Sequence, residues 1–231
     1  MKKILIAAIL LTAGAMAVHA QYAKGAVMLG VSSSLNLVSS GSGPGGQIMT
    51  LGFSNISHTE GFDGNDFTNE SKASHINFTP RGGYFIIDNL AAGAGINFGR
   101  SALTEDVDGE YTETQTLVAF EPFVRYYYPL SSIAPFCEIK GALGSINDKI
   151  ESDGSDPFEN KHRLSSFGVG VGASIPVGMN ASFDVIAGYN LINTKYEEDL
   201  YKVTNKIGTI GIEFGFRVFI GGYGSSADAS Y

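Results

Sequence analysis

Strict alternation of apolar residues near the end of the chain constrains the fold more than any other feature. The segment runs from Lys206 to Ile220, and from Ile210 onward every second residue is large and apolar. Between these apolar residues stand two glycines together with Glu213, Arg217 and Phe219. Because successive side chains point to opposite faces of a strand, the segment predicts a strand with one continuous apolar face and one narrow, charged face.

Seven earlier segments alternate in the same way, which predicts an all-β fold of eight strands. The predicted strands lie near 24–37, 73–85, 91–103, 114–128, 134–147, 163–175, 181–194 and 206–220. Short turns with Pro, Gly, Asn or Asp at 86–90, 129–133 and 176–180 separate long polar connections at 38–72, 104–113, 148–162 and 195–205. Short turns on one side and long loops on the other are typical of an antiparallel up-and-down transmembrane β-barrel of an outer membrane, with both termini on the periplasmic side.

The second face of the predicted strands indicates which side of the barrel meets lipid. In the sixth strand this face carries Gly168, Gly170 and Gly172. A soluble barrel would place its apolar face inward and show water a hydrophilic face rich in Lys, Glu and Thr. Glycine instead suits a narrow interior where backbone and side chains come close together. We therefore expect the apolar face to point outward, toward lipid.

The first 20 residues have the composition of a secretory signal peptide. Lys2 and Lys3 precede an apolar run over 4–11, and residues 18–20 offer a cleavage site before Gln21. The run is shorter than the roughly 20 residues of a membrane helix. We therefore expect export to the cell outer membrane, with residues 21–231 forming one barrel domain.

Two further segments stand apart from the regular strands. In the first extracellular loop, 38–72, the residues 47–56 have strand character and predict an additional hairpin above the membrane. A Gly/Ser-rich tail, 221–231, follows the last strand. The single cysteine, Cys137, cannot form an internal disulfide.

Aromatic residues gather near the short turns and the end of the last strand. Tyrosine and phenylalanine at these places are typical of a girdle at the periplasmic membrane interface. The predicted girdle consists of Tyr84, Tyr126, Tyr128, Phe136, Phe183 and Phe219.

Charged residues on the glycine-rich face predict the content of the barrel interior. They are four cations and four anions: Arg81, Arg125, Lys140, Arg217, Glu121, Glu138, Asp184 and Glu213. Unpaired charge in a narrow interior is very costly, so we expect a salt-bridge network that fills the lumen. Two pairs on one face, Glu121/Arg125 and Glu213/Arg217, are candidate partners within their strands. A gated polar pathway for small solutes is the alternative.

The long connections are strongly acidic. They hold 17 of the 23 carboxylates and five lysines. Asp106, Asp108 and Glu110, and likewise Asp153 and Asp156, offer oxygen ligands to Ca²⁺, but neither set matches a complete calcium loop. We expect solvated loops with no metal site and no cofactor, and a salt-sensitive attraction to an unknown extracellular partner or to divalent ions that bridge to lipopolysaccharide. No nucleotide loop, Cys/His cluster or basic patch for nucleic acid is present.

One segment of the first loop suggests enzymatic chemistry. Ser54, His58 and Glu60 lie within eight residues and would supply a nucleophile, a base and an orienting acid. Members of such triads usually meet only in the fold, so closeness in sequence is weak support. A lipid-modifying outer-membrane enzyme, a deacylase or acyltransferase, is therefore kept as an alternative, and no catalytic residue is predicted.

Three stretches resemble the small eight-stranded outer-membrane β-barrels, the OmpA-like and OmpX-like proteins in the form common in Bacteroidetes. The stretches are Arg81 to Gly99, Glu121 to Gly144, and Gly211 to Ile220. The resemblance implies insertion by the outer-membrane assembly machinery, with the last strand as its recognition signal. It specifies architecture and no activity. We therefore expect a non-enzymatic monomer among outer-membrane lipids and lipopolysaccharide, with a structural or adhesive role.

Overall fold

Nine antiparallel strands are present in a computed structural model that describes residues 21–40, 52–62, 65–106, 110–130, 132–152, 156–198 and 201–221. The predicted signal peptide and residues 222–231 of the predicted tail lie outside these ranges. The strands are β1 (Val27–Ser40), β2 (Gly52–Phe62), β3 (Asn65–Ile87), β4 (Leu90–Asp106), β5 (Glu110–Tyr127), β6 (Ala134–Ser152), β7 (Phe158–Pro176), β8 (Ala181–Glu198) and β9 (Tyr201–Ile220). None of the described residues forms a helix long and apolar enough to cross a bilayer.

Eight of these strands close into a barrel. Each strand from β3 to β9 pairs with the next, and β1 pairs with β9 on one side and β3 on the other. Closure joins Val27–Ser32 of β1 to the end of β3 near Tyr84. Among the described residues, strand β2 pairs with the beginning of β3 and with no other strand, so it is not a member of the ring. The predicted fold class, an eight-stranded antiparallel barrel, is thus confirmed.

The outside of the barrel is apolar, as the glycine-rich second face predicted. Along β7 the outward residues Phe167, Val169 and Val171 are about half exposed or more, at 53%, 44% and 66%. The glycines between them face the interior. Large exposed apolar residues occur on every strand of the ring, so an unbroken apolar band surrounds the barrel. Such a surface favours lipid over water.

The strands are longer than the sequence analysis expected, because three predicted loops are hairpins of paired strands. The loop expected at 104–113 is the paired end of β4 and start of β5, in register up to Asp106 and Glu110. Likewise β6 and β7 remain paired up to Ile150 and Phe158, and β8 and β9 up to their tips. The loop prediction was wrong here because the polarity of a segment indicates contact with water and does not indicate backbone conformation. Beyond the membrane a ladder continues with polar residues on both faces.

The predicted hairpin in the first long connection is displaced along the chain. It is made by β2 and the first half of β3, in register from Gly52 opposite His75 to Phe62 opposite Asn65. Residues 47–51, the beginning of the predicted hairpin, lie outside the described residues. The strand expected from residue 73 therefore begins at Asn65, and its first half serves the hairpin while its second half closes the barrel.

The three short connections lie at the opposite end, which we call the short-turn end; the other is the hairpin end. Asp88 and Asn89 connect β3 to β4, and Asn89 has a positive φ of 67°. Asparagine is among the few residues that tolerate this left-handed backbone. Between β7 and β8, Gly178 has a φ of 94°, and the amide of Val177 donates to the carbonyl of Ala181 at 2.8 Å.

Candidate functional site

The barrel interior holds the predicted charged residues, and aromatic residues close it at the short-turn end. Tyr127, Phe85, Phe136 and Phe219 point inward and are nearly inaccessible to solvent. Tyr22 stacks on Tyr127 with ring centroids 4.3 Å apart and meets Phe219 edge-on at 5.3 Å. Such ring pairs stabilise beyond their buried area. This aromatic layer fills the lumen where the turns are short.

Two residues of the predicted girdle belong to this interior layer. Phe136 and Phe219 are 5% and 2% exposed and lie inside, so their assignment to the girdle is wrong. The prediction relied on closeness to a turn, whereas the side of the pleat decides which way a side chain points. Phe136 shares its face with Glu138, and Phe219 shares its face with Arg217. The other predicted girdle residues point outward and are at least 40% exposed: Tyr84, Tyr126, Tyr128 and Phe183.

Sequence reasoning missed Tyr22, the central member of the aromatic layer. It precedes β1, where no periodicity marks it, and the chain before the strand folds across the barrel mouth. The amide of Asn89 donates to the carbonyl of Tyr22 at 2.7 Å. The amide of Gly25 donates to the carbonyl of Phe85 at 2.9 Å. The Tyr22 hydroxyl donates to Ser174 Oγ at 3.2 Å. These contacts tie the segment to three different parts of the ring.

Above the aromatic layer, Arg81 is the centre of one group of ion pairs. Its guanidinium contacts Glu121, Glu138 Oε1 at 3.1 Å and Glu213 Oε1 at 3.0 Å. Lys140 Nζ contacts Glu213 Oε2 at 2.6 Å and Glu121 Oε2 at 3.9 Å. Apart from Lys140, each of these side chains is almost fully buried. Two cations therefore share three carboxylates.

Arg125 is the centre of a second group. It contacts Glu138 Oε2 at 2.6 Å and Asp184 Oδ2 at 2.5 Å, and donates to the Tyr127 hydroxyl at 3.1 Å. Its guanidinium also lies 4.0 Å from the centre of the Phe136 ring, a cation–π contact. Glu138 receives both Arg81 and Arg125 and so joins the two groups into one network.

Arg217 completes the network at its edge. Its Nε lies 3.6 Å from Asp184 Oδ2, and its Nη1 donates to the backbone carbonyl of Val31 at 2.9 Å. All eight predicted lumen residues thus lie in one interior layer with four charges of each sign.

The partners within this layer differ from the candidate pairs proposed within single strands. Arg125 pairs with Glu138 and Asp184 instead of Glu121, and Arg217 pairs with Asp184 instead of Glu213. Four residues along one strand span about 13 Å, whereas adjacent strands lie about 5 Å apart. Arg125 therefore contacts Glu138, directly opposite it on the adjacent β6, and Asp184 on β8 across the lumen, instead of Glu121 on its own strand.

Glycines leave the space that the arginines occupy. Gly95 pairs with Arg81 on one side and Glu121 on the other, and a Cβ at Gly95 would lie 2.7 Å from Arg81 Cγ. Gly30 pairs with both Arg81 and Arg217, and its Cβ would lie 2.5 Å from Arg217 Cδ. The glycine-rich face is thus the complement of the large charged side chains on the neighbouring strands.

A small polar cavity lies on the hairpin side of the charge network. Its volume is about 30 Å³, and its wall includes Asn77, Asn97, Thr209 and Lys140. Asn97 Oδ1 and Thr209 Oγ1 are buried without a hydrogen-bond partner among the described residues. A water molecule needs about 10–15 Å³ of such volume, so the cavity suits very few waters and no sugar-sized solute.

Apolar residues close part of the lumen nearer the hairpin end. This apolar cluster contains one large inward-facing residue from each of five successive strands: Leu117, Ile146, Leu164, Ile192 and Ile207. Ala119 and Ala142 also belong to it. Each continues the inward face of its strand beyond the charged layer.

At the hairpin end, an interior acid–base pair is formed by Asp148 and His162. Their Oδ2 and Nε2 atoms lie 2.8 Å apart, and the His162 ring is 5.2 Å from the Tyr196 ring. Burial raises the pKa of Asp148, while the nearby His162 opposes this shift. No group of three or more His, Cys, Asp or Glu side chains suited to a metal ion occurs in the described ranges.

The other candidate residues of the long connections give little support to a catalytic triad or a calcium site. Ser54, His58 and Glu60 occupy positions along the single strand β2, and their side chains lie outside the described ones. Four residues of a strand span about 13 Å, so β2 does not place Ser54 and His58 as neighbours. For the calcium hypothesis, Asp156 is exposed. The side chains of Asp106, Asp108, Glu110 and Asp153 lie outside the described part.

Comparison with known proteins identifies the family. Residues 6–217 match the family described as outer membrane protein beta-barrel domain. No curated protein sequence matches the chain.

Solved structures of outer-membrane proteins align with most of the chain. Neisserial surface protein A (NspA) has 14% identity over 84% of this chain and 95% of its own, with a TM-score of 0.37. The outer membrane protease OmpT from Escherichia coli has 9% identity over 85% and 94%, with a TM-score of 0.44. The outer membrane protein OprG from Pseudomonas aeruginosa has 11% identity over 87% and 97%, with a TM-score of 0.35. With identities and TM-scores this low, the family match carries the assignment alone: the chain belongs to the outer membrane protein β-barrel domain family.

Proposed function

We propose that this outer-membrane barrel is closed and non-enzymatic, and that it displays its long hairpins to a partner outside the cell. The observation that carries the proposal is the layered interior. The aromatic layer fills the short-turn end, and the charge network fills the middle of the lumen. Eight strands leave an interior only wide enough for side chains.

A pore for small solutes is the less favoured alternative. The charges of the network balance, and their ion pairs are nearly all buried. Opening a path would require separating such pairs, and breaking a buried pair costs about 3–5 kcal/mol. The interior cavity of about 30 Å³ is far smaller than a sugar.

A lipid-modifying enzyme is also less favoured. Its strongest support in the described residues is the Asp148–His162 pair, which has the geometry of a base with its orienting acid. The inward residues next to them in the ladder are Gln115 and Asn160, opposite Asp148, so no serine or cysteine nucleophile adjoins the pair there.

The hairpins supply the surface for a partner. The β2–β3 hairpin is eleven residue pairs long, and the long connections are rich in carboxylates. Rigid paired strands lose less conformational freedom on binding than loops do. The acidic charge favours a partner with a cationic surface, with an affinity that salt weakens.

Planar-bilayer recording tests the closed barrel. The intact protein, folded in lipid and checked by its compact electrophoretic mobility, should give no stable conductance steps. Reproducible steps large enough to pass sugars would contradict the closed lumen.

A pair of deletions tests the display of the β2–β3 hairpin. One variant lacks residues 52–71, and its matched control lacks residues 151–159; each deletion removes four carboxylates and no lysine. In pull-downs from extracellular fluid, a partner captured by the intact protein should be lost only with the first deletion. Equal loss with both deletions would indicate unspecific charge attraction, and no capture by the intact protein would contradict partner display.

A further inference from the structure

A cluster of basic residues lies on the outer surface of the barrel, directly above the apolar band. On β7, β8 and β9 the last apolar row contains Phe167 opposite Leu191. The next row toward the hairpin end places Asn193 opposite Lys206, and the row after that places Arg163 opposite Lys195. The alternation that points Phe167 and Leu191 outward also points these residues outward, and all three basic side chains are exposed.

The three basic residues have no acidic partner among the described side chains. Within the described side chains, Arg163, Lys195 and Lys206 form no ion pair with a carboxylate. Arg163 and Lys195 are directly opposite each other in the ladder, an arrangement that destabilises a sheet when both carry the same charge. The next acid along β8 is Glu197, and it stands opposite Lys202 in the register. The arrangement therefore favours an anion between Arg163 and Lys195.

The height of the cluster matches the headgroup region of a membrane. Two residues along a tilted strand rise about 5 Å, so the rows lie about 5 and 10 Å above the last apolar row. The headgroup region adds about 5–8 Å to each side of the hydrocarbon core. Long basic side chains can bend along the surface to reach it. A lipid with its acyl chains against Phe167 and Leu191 therefore brings its headgroup to these cations.

We propose that Arg163, Lys195 and Lys206 form a binding site for the phosphate group of an anionic lipid in the outer leaflet. On the other side of the barrel, the outward residues above Val118 on β5 are the uncharged Thr116, Thr114 and Thr112, and one cation, Arg100 on β4, stands opposite Thr116. The inference depends on membrane insertion and is independent of the closed lumen.

Fluorescence quenching by lipids tests the site, because the chain contains no tryptophan. A single tryptophan replaces Leu191 beside the cluster, or Val118, which lies away from the cluster and near Arg100; both residues are exposed on the apolar band. Each variant is folded into phosphatidylcholine vesicles that contain phosphatidylglycerol brominated near the headgroup. The reverse mixture, with the bromine on phosphatidylcholine, supplies the reference for each position.

The preference for phosphatidylglycerol is obtained at each tryptophan by comparing the quenching in the two mixtures. We expect this preference to be about fivefold greater at Leu191→Trp than at Val118→Trp, since one basic residue near the surface contributes about this factor. Replacing Arg163, Lys195 and Lys206 by Gln should remove the preference. Replacing Arg100 and Lys72, exposed basic residues on the opposite side, by Gln should leave the preference at Leu191→Trp unchanged. Equal preference at both tryptophans, or a preference that survives the triple replacement, would overturn the proposal.

Discussion

Replacing Arg125 by Gln is the change that tests the interior network most directly. Arg125 is inaccessible to solvent and contacts Glu138 and Asp184 at 2.6 and 2.5 Å. Its loss leaves Asp184 with the Ser182 hydroxyl, which donates to Oδ1 at 3.0 Å, and with Arg217 Nε at 3.6 Å. Breaking a buried ion pair by removing one partner costs about 3–5 kcal/mol, so we expect Arg125→Gln to lower the free energy of unfolding by that amount.

A comparison of two double-mutant cycles separates pairing from general electrostatics. At an effective dielectric constant of about 20, unit charges 2.5 Å apart interact by about 7 kcal/mol and charges 13 Å apart by about 1 kcal/mol. The first distance applies to Arg125 and Asp184, and the second is the spacing of Arg125 and Glu121 along β5. The coupling energy of Arg125→Gln with Asp184→Asn should therefore be several times that with Glu121→Gln.

The measurement is urea unfolding of barrels folded in lipid vesicles, followed by the circular dichroism of the sheet. Because all single and double variants are compared in the same lipid, the intact protein and the Glu121→Gln cycle serve as internal controls. Equal coupling energies in the two cycles would refute the assignment of partners across strands. A loss of less than about 1 kcal/mol for Arg125→Gln would refute a buried network altogether.

Three further changes test the facing of the strands, the glycines and the hairpin end. Val169→Arg, on the lipid-facing side, should lower the free energy of unfolding in bilayers by about 2–4 kcal/mol if the site is near the midplane, and an unchanged folded fraction would contradict the facing. Gly95→Ala should cost about 1–3 kcal/mol, because its Cβ would lie 2.7 Å from a backbone oxygen, whereas Gly141→Ala, with its nearest atom at 3.5 Å, should be close to neutral in the same unfolding assay. Burial raises the pKa of Asp148 above its ordinary 3.8 despite the neighbouring His162, so the contribution of this group to stability is complete below pH 3.8 and is lost as the pH rises through the folded-state pKa. Asp148→Asn should remove that dependence when the free energy of unfolding is measured across acidic pH, and an unchanged pH profile would contradict it.

The sequence alone determined the barrel and the side on which most of its residues lie. A period of two assigns each residue to one face once the strand is recognised, and glycine on one face identifies the interior. The same period also determined the inward position of Phe136 and Phe219. The prediction failed there because it weighed closeness to the turns above the alternation. The polar ends of β4 to β9 cannot be recognised as strands from composition, because polarity distinguishes water from lipid and does not distinguish strand from loop.

Only the tertiary structure decided which side chains meet. Register and barrel closure place Gly95 between Arg81 and Glu121, and they bring Arg125 to Asp184 from a distant strand. No local pattern encodes these contacts, because they depend on strand tilt and on the joining of β1 to β3. The same holds for Tyr22, which enters the lumen from outside any strand, and for the opposition of Arg163 and Lys195 on the outer surface. Periodicity along one strand determines the face to which each side chain points, whereas its neighbours in space depend on how separate strands are aligned.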